Sequence, residues 1–451
     1  MARAAIILAA GMGTRMKSAT PKVLHHVGGR SMLAWTTDLA HRLGCERTVI
    51  IVGPQFQVVN EAAAKLVGPE NVCIQREQLG TADAVKAATP ALEGFQGDAI
   101  VLYADTPLIP VDVAARAFEA IETGAAVAVL GFEAADPGGY GRLIRSAKGG
   151  LDRIVEAKDA TDAERAVRFC NSGVLAAPWP LMRELLGEVG NDNANGEYYL
   201  TDLIGLARGR GLAATAVECR ENDVLGVNSR AQLAQAEMVF QNRMREHFLL
   251  EGVTMTAPET VFFAWDTQIA NDVDIEPHVV FRPGVKVAGG VRIRAFCHLE
   301  GASIGKDAEI GPFARLRPGT ELQEQVRIGN FVEVKNTVLR PGAKANHLAY
   351  LGDGDVGAGA NIGAGTIFCN YDGFLKYRTV IGEGAFIGSN SALVAPVSIG
   401  AGAIVGSGSV ITADVEADAL AVGRGRQADK SGWAISFRQM MNEKKAASNK
   451  P

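Results

Sequence analysis

Three groups of residues in this 451-residue sequence could do chemistry. The first lies near the start. An apolar run, Ala4 to Ala10, is followed by Gly11-Met12-Gly13-Thr14-Arg15-Met16, and then by Pro21-Lys22. A glycine turn after a buried strand can bring backbone N–H groups onto phosphate oxygens, and Arg15 and Lys22 would add cations. The plainer alternative is an ordinary strand-to-helix turn. The pattern is not a dinucleotide fingerprint, because Met16 stands at the third glycine position, and it lacks the Gly-Lys-Ser/Thr of a Walker A loop. In the second group, Tyr103-Ala104-Asp105 closes another apolar run, Ala99 to Leu102. An Asp at a strand end can hold Mg²⁺, a hard cation that takes oxygen ligands and shares them with substrate phosphates. It can also simply cap the loop that begins at Thr106-Pro107. The third group is Arg317 with Lys335, Lys344, Asn346, His347 and Tyr350. Of seven histidines, His347 is the one in a polar stretch beside an Asn. Imidazole suits base catalysis near neutral pH, and Arg317 and Lys335 suit an anionic ligand. A structural loop histidine is the plainer alternative.

The first two groups need a sheet to hold them. Val49 to Val52 and Ala99 to Leu102 read as buried strands with helical stretches between them. Alternating strands and helices predict a doubly wound, Rossmann-like α/β domain with its ligand at the carboxyl edge of the strands. The third group lies in a repeat. Ile381, Ile387, Leu393, Ile399, Val405 and Ile411 are six apart, as are Ile304, Ile310, Leu316, Leu322, Ile328 and Val334. Ile275, Phe281, Val287, Ile293 and Leu299 form an earlier series. A period of six fits neither a helix nor a two-residue strand face. It fits a solenoid of short strands and tight turns, three hexads to a triangular coil, better than a Gly-rich sandwich. The register breaks at 335–350 and at 369–379, the latter holding Asn370-Tyr371-Asp372-Gly373. Both are expected to be loops thrown out of the scaffold, where binding groups usually sit. Residues 229–251, rich in Gln, Glu, Arg and Met at helical spacing, read as a linker helix between a domain at 1–228 and one at 252–451.

Composition narrows the class. Hydrophobic residues are 47%, charged residues 21% and the net charge is −5, with no basic block longer than Lys444-Lys445. A nucleic-acid partner is therefore not expected. The six cysteines are scattered with no C-x-x-C pair, which argues against a zinc site or disulfide framework and suits a reducing cytosol. The N-terminal apolar run is too short to span a membrane and has no signal-peptide cleavage pattern. A cytoplasmic protein without a membrane partner is the expectation.

Leu8 through Gly13-Thr14-Arg15-Met16 to Pro21-Lys22-Val23-Leu24 resembles the signature of the sugar-1-phosphate nucleotidyltransferases. The resemblance extends through Gln75, Gln78-Leu79-Gly80-Thr81-Ala82, Tyr140-Gly141-Arg142, Ile154-Val155-Glu156, Asn171-Ser172-Gly173 and Glu197 to Asp202. In the second half, Ala314 to Gly319, Gly329 to Lys335, His347 to Asp353, Gly363 to Thr366 and Asn370 to Gly373 resemble the hexapeptide-repeat acyltransferases, whose fold is a left-handed parallel β-helix. Together, over about residues 4 to 433, the chain is similar to the bacterial enzymes that fuse an N-acetylglucosamine-1-phosphate uridyltransferase to a glucosamine-1-phosphate N-acetyltransferase.

That resemblance implies roles. Leu8, Ala9, Ala10, Gly11, Gln75, Gly80 and Thr81 should hold uracil and ribose, with Tyr103 also in the nucleotide and sugar site. Arg15 and Lys22 should neutralise the triphosphate of UTP, and Asp105 and Asn228 should bind Mg²⁺. Gly141, Glu156 and Asn171 should hold the N-acetylglucosamine moiety of the second substrate, N-acetylglucosamine-1-phosphate. In the second half, Arg317, Lys335, Tyr350 and Asn361 should hold glucosamine-1-phosphate, with His347 as base. Ala364, Asn370, Tyr371, Ser389, Ser407 and Arg424 should line the acetyl-CoA site. The resemblance also implies a homotrimer of side-by-side β-helices and a product, UDP-N-acetylglucosamine, destined for peptidoglycan and lipopolysaccharide synthesis. Two positions depart from the pattern. Ala104 stands where glycine is common, and Ser407 where alanine is common. The chief rival reading is a single-activity nucleotidyltransferase whose β-helix only trimerises. The His347 cluster beside Arg317 and Lys335 is what a purely structural helix has no need of.

Overall fold

A computed structural model describes residues 1–146 and 149–448. The chain divides into two compact units. The first is Met1–Leu250 with Phe262–Asp266, and the second is Glu251–Val261 with Thr267–Pro451. The helix Arg230–Leu250 groups with the first unit.

The first unit is built on seven strands: β1 (Arg3–Leu8), β2 (Arg47–Val52), β3 (Val72–Ile74), β4 (Asp98–Tyr103), β5 (Val127–Glu133), β6 (Phe169–Pro178) and β7 (Ala214–Cys219). Their order across the sheet is β7-β5-β6-β4-β1-β2-β3. All neighbours are parallel except β6, which runs antiparallel to both β5 and β4. A hairpin, Arg142–Arg145 with Leu151–Val155, is attached through Cys170 of β6. The central strands are apolar throughout because both faces are covered. Ala4, Ile6, Val49 and Val101 pack on one side, and Ala5, Ile7, Ile50 and Ile100 on the other. This arrangement brings the carboxyl ends of β1 and β4 side by side, with Leu8 opposite Tyr103. The glycine turn and Asp105 therefore start from one edge.

The second unit is a left-handed parallel β-helix carrying the hexapeptide repeats. The first face stacks ten strands from Thr254–Met255 to Leu420–Ala421. Val280–Phe281, His298–Leu299 and Arg315–Leu316 begin the second face. Gln268–Ile269, Lys286–Val287 and Ala302–Ile304 begin the third. Each coil is paired with the next, so the inward aliphatics form columns at about the 4.8 Å strand spacing. Ile275, Ile293, Ile310, Ile328, Ile362, Ile387 and Val405 make one such buried column.

Residues 335–350 are not a loop thrown out of the scaffold. Glu333–Leu339 bends round a corner as one continuous strand, and Lys344–His347 and Tyr350–Val356 follow in register. The break in the period arises because Val334 and Leu339 are five apart, so one side of the coil is a residue short. The second break is a true excursion. The chain leaves the coil after Ile367–Cys369 and returns at Thr379–Ile381, the loop being closed by a Tyr371–Lys376 bridge.

Candidate active sites

In the first unit a cavity of about 330 Å³ opens at the carboxyl edge of the sheet. Leu8, Ala9, Ala10, Gly11, Lys22, Gln75, Gly80, Thr81, Tyr103 and Asp105 line it, so the structure gathers ten of the residues expected there. It adds Val23, Gln78, Ala84 and Glu197. Two glycines are dictated by space. Gly13 has φ 62°, and a Cβ on it would come within 2.6 Å of Lys22 Cβ. Gly80 has φ 122°, and a Cβ there would meet the Tyr198 carbonyl at 2.5 Å. Both positions favour the residue without a side chain. Gln75 is buried, lines the cavity, and its amide N–H₂ donates to Gly80 O (3.0 Å) and Asp83 Oδ2 (2.9 Å), so its carbonyl is the half of the amide left to accept from a donor. Gln78 donates to Ala10 O at 2.7 Å and fixes the glycine turn.

Lys22 Nζ is 2.5 Å from Asp105 Oδ2 and 3.0 Å from Asn228 Oδ1. Two oxygens thus converge on one cationic centre. A set of hard oxygen donors suits Mg²⁺. Among the described residues no group of three or more His, Cys, Asp or Glu gathers. The main chain reinforces the pair, since Val227 N–H donates to Asp105 O at 2.8 Å. Ala104 is fully buried and its backbone lies outside the left-handed region, so the extra methyl is accommodated. Arg15 is different. It lies exposed on the 3₁₀ turn Thr14–Met16 and does not line the cavity.

The expected sugar residues form a group beside this cavity. Asn171 N–H donates to Gly141 O at 2.8 Å, and a Cβ on Gly141 would lie 3.4 Å from the Glu156 carboxylate. Burial pushes the Glu156 carboxyl up, although Thr201 Oγ1 donates to it at 3.1 Å. Tyr103 bridges the two groups. Burial pushes its phenol well up, the negative charges of Glu156 and Asp105 add to this, and a hydrogen bond with Thr81 opposes it.

In the second unit His347 is exposed on the first face, at the corner leading to the second. Its Nδ1 is 2.6 Å from Asn330 Oδ1, one coil earlier, and the two residues are in register. An amide oxygen only accepts, so Nδ1 donates and Nε2 keeps the lone pair. The orienting Asn is thus Asn330, and the sequence neighbour Asn346 makes no such contact.

At the opposite corner of the second face lies a cationic group. Lys376 lies against Lys335 and holds its ammonium below the usual lysine range; Arg317 adds to this and Asp353 opposes it. Two ammonium groups so placed are arranged for an anion. Lys376 was not singled out by sequence. Arg317 also donates to Glu333 Oε1 at 2.8 Å. Burial pushes the Asp353 carboxyl up, but hydrogen bonds from Asn336 and Asn370 and the two lysines outweigh it and hold it low. A Cβ on Gly352 would meet Tyr350 OH at 2.5 Å and Asn370 Nδ2 at 2.7 Å, so Tyr350 and Asn370 converge there. Tyr371, in the excursion loop, donates to Gly373 O and is exposed.

The remaining expected residues follow the His347 corner upward. Asn390 N–H donates to Ala364 O (2.7 Å) and Gly408 N–H to Ser389 O (2.8 Å). A Cβ on Gly388 would meet Ser407 N, and one on Gly408 would lie 3.9 Å from Arg424 Cδ. Ala364, Ser389, Ser407 and Arg424 are therefore one ladder. Asn361 is set apart. It belongs to the first face, paired with Lys344 and Phe386, while Tyr350 and Lys335 belong to the second-face strand set. Within one chain the structure does not bring Asn361 to Lys335.

Residues 5–172 match a MobA-like NTP transferase domain, and residues 378–413 match the bacterial transferase hexapeptide, six repeats. A protein of Caulobacter vibrioides named bifunctional protein GlmU is 58% identical over 443 residues, covering 98% of this chain and 96% of the relative. Proteins of the same name from Maricaulis maris (58% over 444 residues, 98% of each chain) and Hyphomonas neptunium (57% over 445 residues, 99% and 96%) are equally similar over their length.

Proposed function

The chain belongs to the GlmU family of bifunctional proteins, and from that premise we propose which of its residues carry each of the two reactions. The enzyme transfers acetyl from acetyl-CoA to glucosamine-1-phosphate. It then transfers uridylyl from UTP to N-acetylglucosamine-1-phosphate, releasing pyrophosphate. The rival reading, a β-helix that only trimerises, gives way to this one. The observation that carries the residue assignment is that each unit holds its own convergent polar group: Lys22, Asp105 and Asn228 in the first, and Asn330-oriented His347 in the second.

In the first site a phosphate oxygen of the sugar attacks the α-phosphorus of UTP. A new O–P bond forms and the bond to pyrophosphate breaks. Both reactants are anions, so charge repulsion dominates the barrier. Lys22 answers it from inside the cavity. Arg15, exposed on its turn, is assigned to the outer phosphates. Asp105 and Asn228 would hold Mg²⁺, which would supply further positive charge to the phosphates. Gln75, Gly80 and Thr81 position the uridine, and Gly141, Glu156 and Asn171 the sugar. Positioning supplies the rest.

In the second site the amine attacks the thioester carbonyl. A C–N bond forms as His347 Nε2 takes the amine proton, the C–S bond breaks, and the departing CoA thiolate takes that proton and leaves as the thiol. Arg317, Lys335 and Lys376 hold the sugar phosphate, with Tyr350 and Asn361 completing the acceptor site; within one chain this cationic group and His347 stand at opposite corners of the second face, so the site is completed across neighbouring copies. Asn370 and Tyr371 lie near the developing oxyanion, and Ala364, Ser389, Ser407 and Arg424 take the CoA chain. We expect Lys376→Ala to raise KM for glucosamine-1-phosphate about tenfold with little change in kcat, the pattern of lost uniform binding. An unchanged KM would remove Lys376 from the site.

Assembly as a homotrimer is part of the proposal. The corner between the first and second faces carries His278, Phe296, Phe313 and Phe331 in a stack with centroids 4.9, 4.9 and 5.1 Å apart. The three phenylalanines and Leu348 are exposed, and such a row favours a protein contact. The flanking faces carry matched residues at three levels. Glu309 on the first face is level with Arg315 on the second, Arg327 with Glu333, and Ile404 with Val410. Side-by-side threefold packing would set these against one another and bring a neighbour's face to complete the group that Asn361 leaves open. Aspartate is tolerated at positive φ, so Phe296→Asp/Phe313→Asp should fold. It should sediment as a monomer, lose acetyl transfer and keep uridylyl transfer. A trimer from this variant would contradict the packing.

A further inference from the structure

The helix Arg230–Leu250 touches every segment that carries a member of the Lys22–Asp105–Asn228 group. Asn228 immediately precedes it, and Gln232 Oε1 accepts from Asn228 N–H at 2.8 Å. Glu237 Oε2 accepts from Gly28 N–H at 2.7 Å, a few residues after Lys22. Phe240 is buried against Val27, Met32, Leu108, Leu225 and Val227. Arg243 makes the furthest-reaching contacts. Its Nη1 donates to Leu108 O at 2.6 Å, in the loop that begins at Asp105. Its Nη2 donates to Asn222 O at 3.0 Å and to Asp223 Oδ1 at 2.8 Å, in the turn that leads to Asn228. Asp223 is 2% exposed, so its carboxylate depends on these donors and on Arg220. One guanidinium thus clamps together the two loops whose ends supply the paired oxygens.

We propose that Arg243 is a positioning residue for the uridylyl site, fixing the 105–110 loop against the 220–223 turn so that Asp105 and Asn228 stand at the spacing a shared cation requires. Its planar fork presents donors on separate nitrogens at fixed spacing and so fits two carbonyls and a carboxylate better than the single nitrogen of an ammonium. Arg243 touches no substrate and acts through the backbone of the residues that do. The inference rests on the reading of Asp105 and Asn228 as cation ligands.

The test uses the full-length protein with Arg243→Ala, Arg243→Lys and Asp105→Asn. Mn²⁺ alone is titrated and followed by loss of its free-ion EPR signal, and backbone hydrogen exchange is read over 104–110 and 222–228. Protection of β1 (Arg3–Leu8) and β4 (Asp98–Tyr103) in the same exchange measurement reports that the first unit is folded. Arg243→Ala should bind Mn²⁺ about tenfold more weakly, the ordinary cost of losing an outer-shell partner. It should also exchange faster at Val227 N–H, which bonds to Asp105 O. Arg243→Lys, the milder variant and the fallback if the alanine form does not fold, should be intermediate. Unchanged Mn²⁺ affinity in both Arg243 variants, with Asp105→Asn clearly weakened, would overturn this inference alone. Unchanged affinity in Asp105→Asn would overturn the cation reading beneath it as well.

Discussion

His347→Ala lowers kcat for acetyl transfer about 10²- to 10⁴-fold, the usual contribution of a positioned base, and leaves uridylyl transfer within about twofold. The amine of the sugar must lose a proton as it attacks, and Nε2 of His347 is the lone pair that the geometry leaves for it. The orientation comes from Asn330, whose Oδ1 is 2.6 Å from Nδ1. Release of the CoA thiol, followed with a thiol reagent, is the measurement. A rate near wild type would show that His347 is not the base.

Asp105→Ala is expected to cost uridylyl transfer about 10³-fold or more, on the scale of losing one preorganised charge-stabilising group. The carboxylate is 2.5 Å from Lys22 Nζ, with side chains 19% and 11% exposed. Removing it leaves the lysine without its partner and the cation with Asn228 alone. Acetyl transfer should be unaffected, because the second group is built from residues of the other unit. Pyrophosphate release across a Mg²⁺ titration is the readout, and unchanged Mg²⁺-dependent release would remove Asp105 from the site.

Both scaffolds were legible for a physical reason. Strands buried on two faces must be apolar throughout, so Ala4 to Ala10, Val49 to Val52 and Ala99 to Leu102 stood out, although the first strand stops at Leu8. A triangular coil repeats its inward residue every six positions, so Ile381 to Ile411 announced the solenoid, and all six are buried. The misreading at 335–350 has an equally plain cause. A side shortened by one residue shifts the period just as an inserted loop does, and only the pairing of Leu322 with Leu339 tells them apart. Contacts between coils were the hidden part. Asn330 and His347 touch because their strands stack, while the adjacent Asn346 was the neighbour that sequence offered. Lys376 was missed because its loop folds back on itself before reaching Lys335. Gln78 stood in a quoted motif, but its part in holding the Ala10 carbonyl depends on a turn formed far away in the chain.

Two separable sites operate in one chain. The most direct measurement gives wild type, His347→Ala and Asp105→Ala the same mixture of glucosamine-1-phosphate, N-acetylglucosamine-1-phosphate, acetyl-CoA, UTP and Mg²⁺, and follows thiol and pyrophosphate separately. Wild type should release both, His347→Ala pyrophosphate only, and Asp105→Ala thiol only. If either single substitution abolished both signals in a folded protein, or neither signal changed, the two-site account would be contradicted.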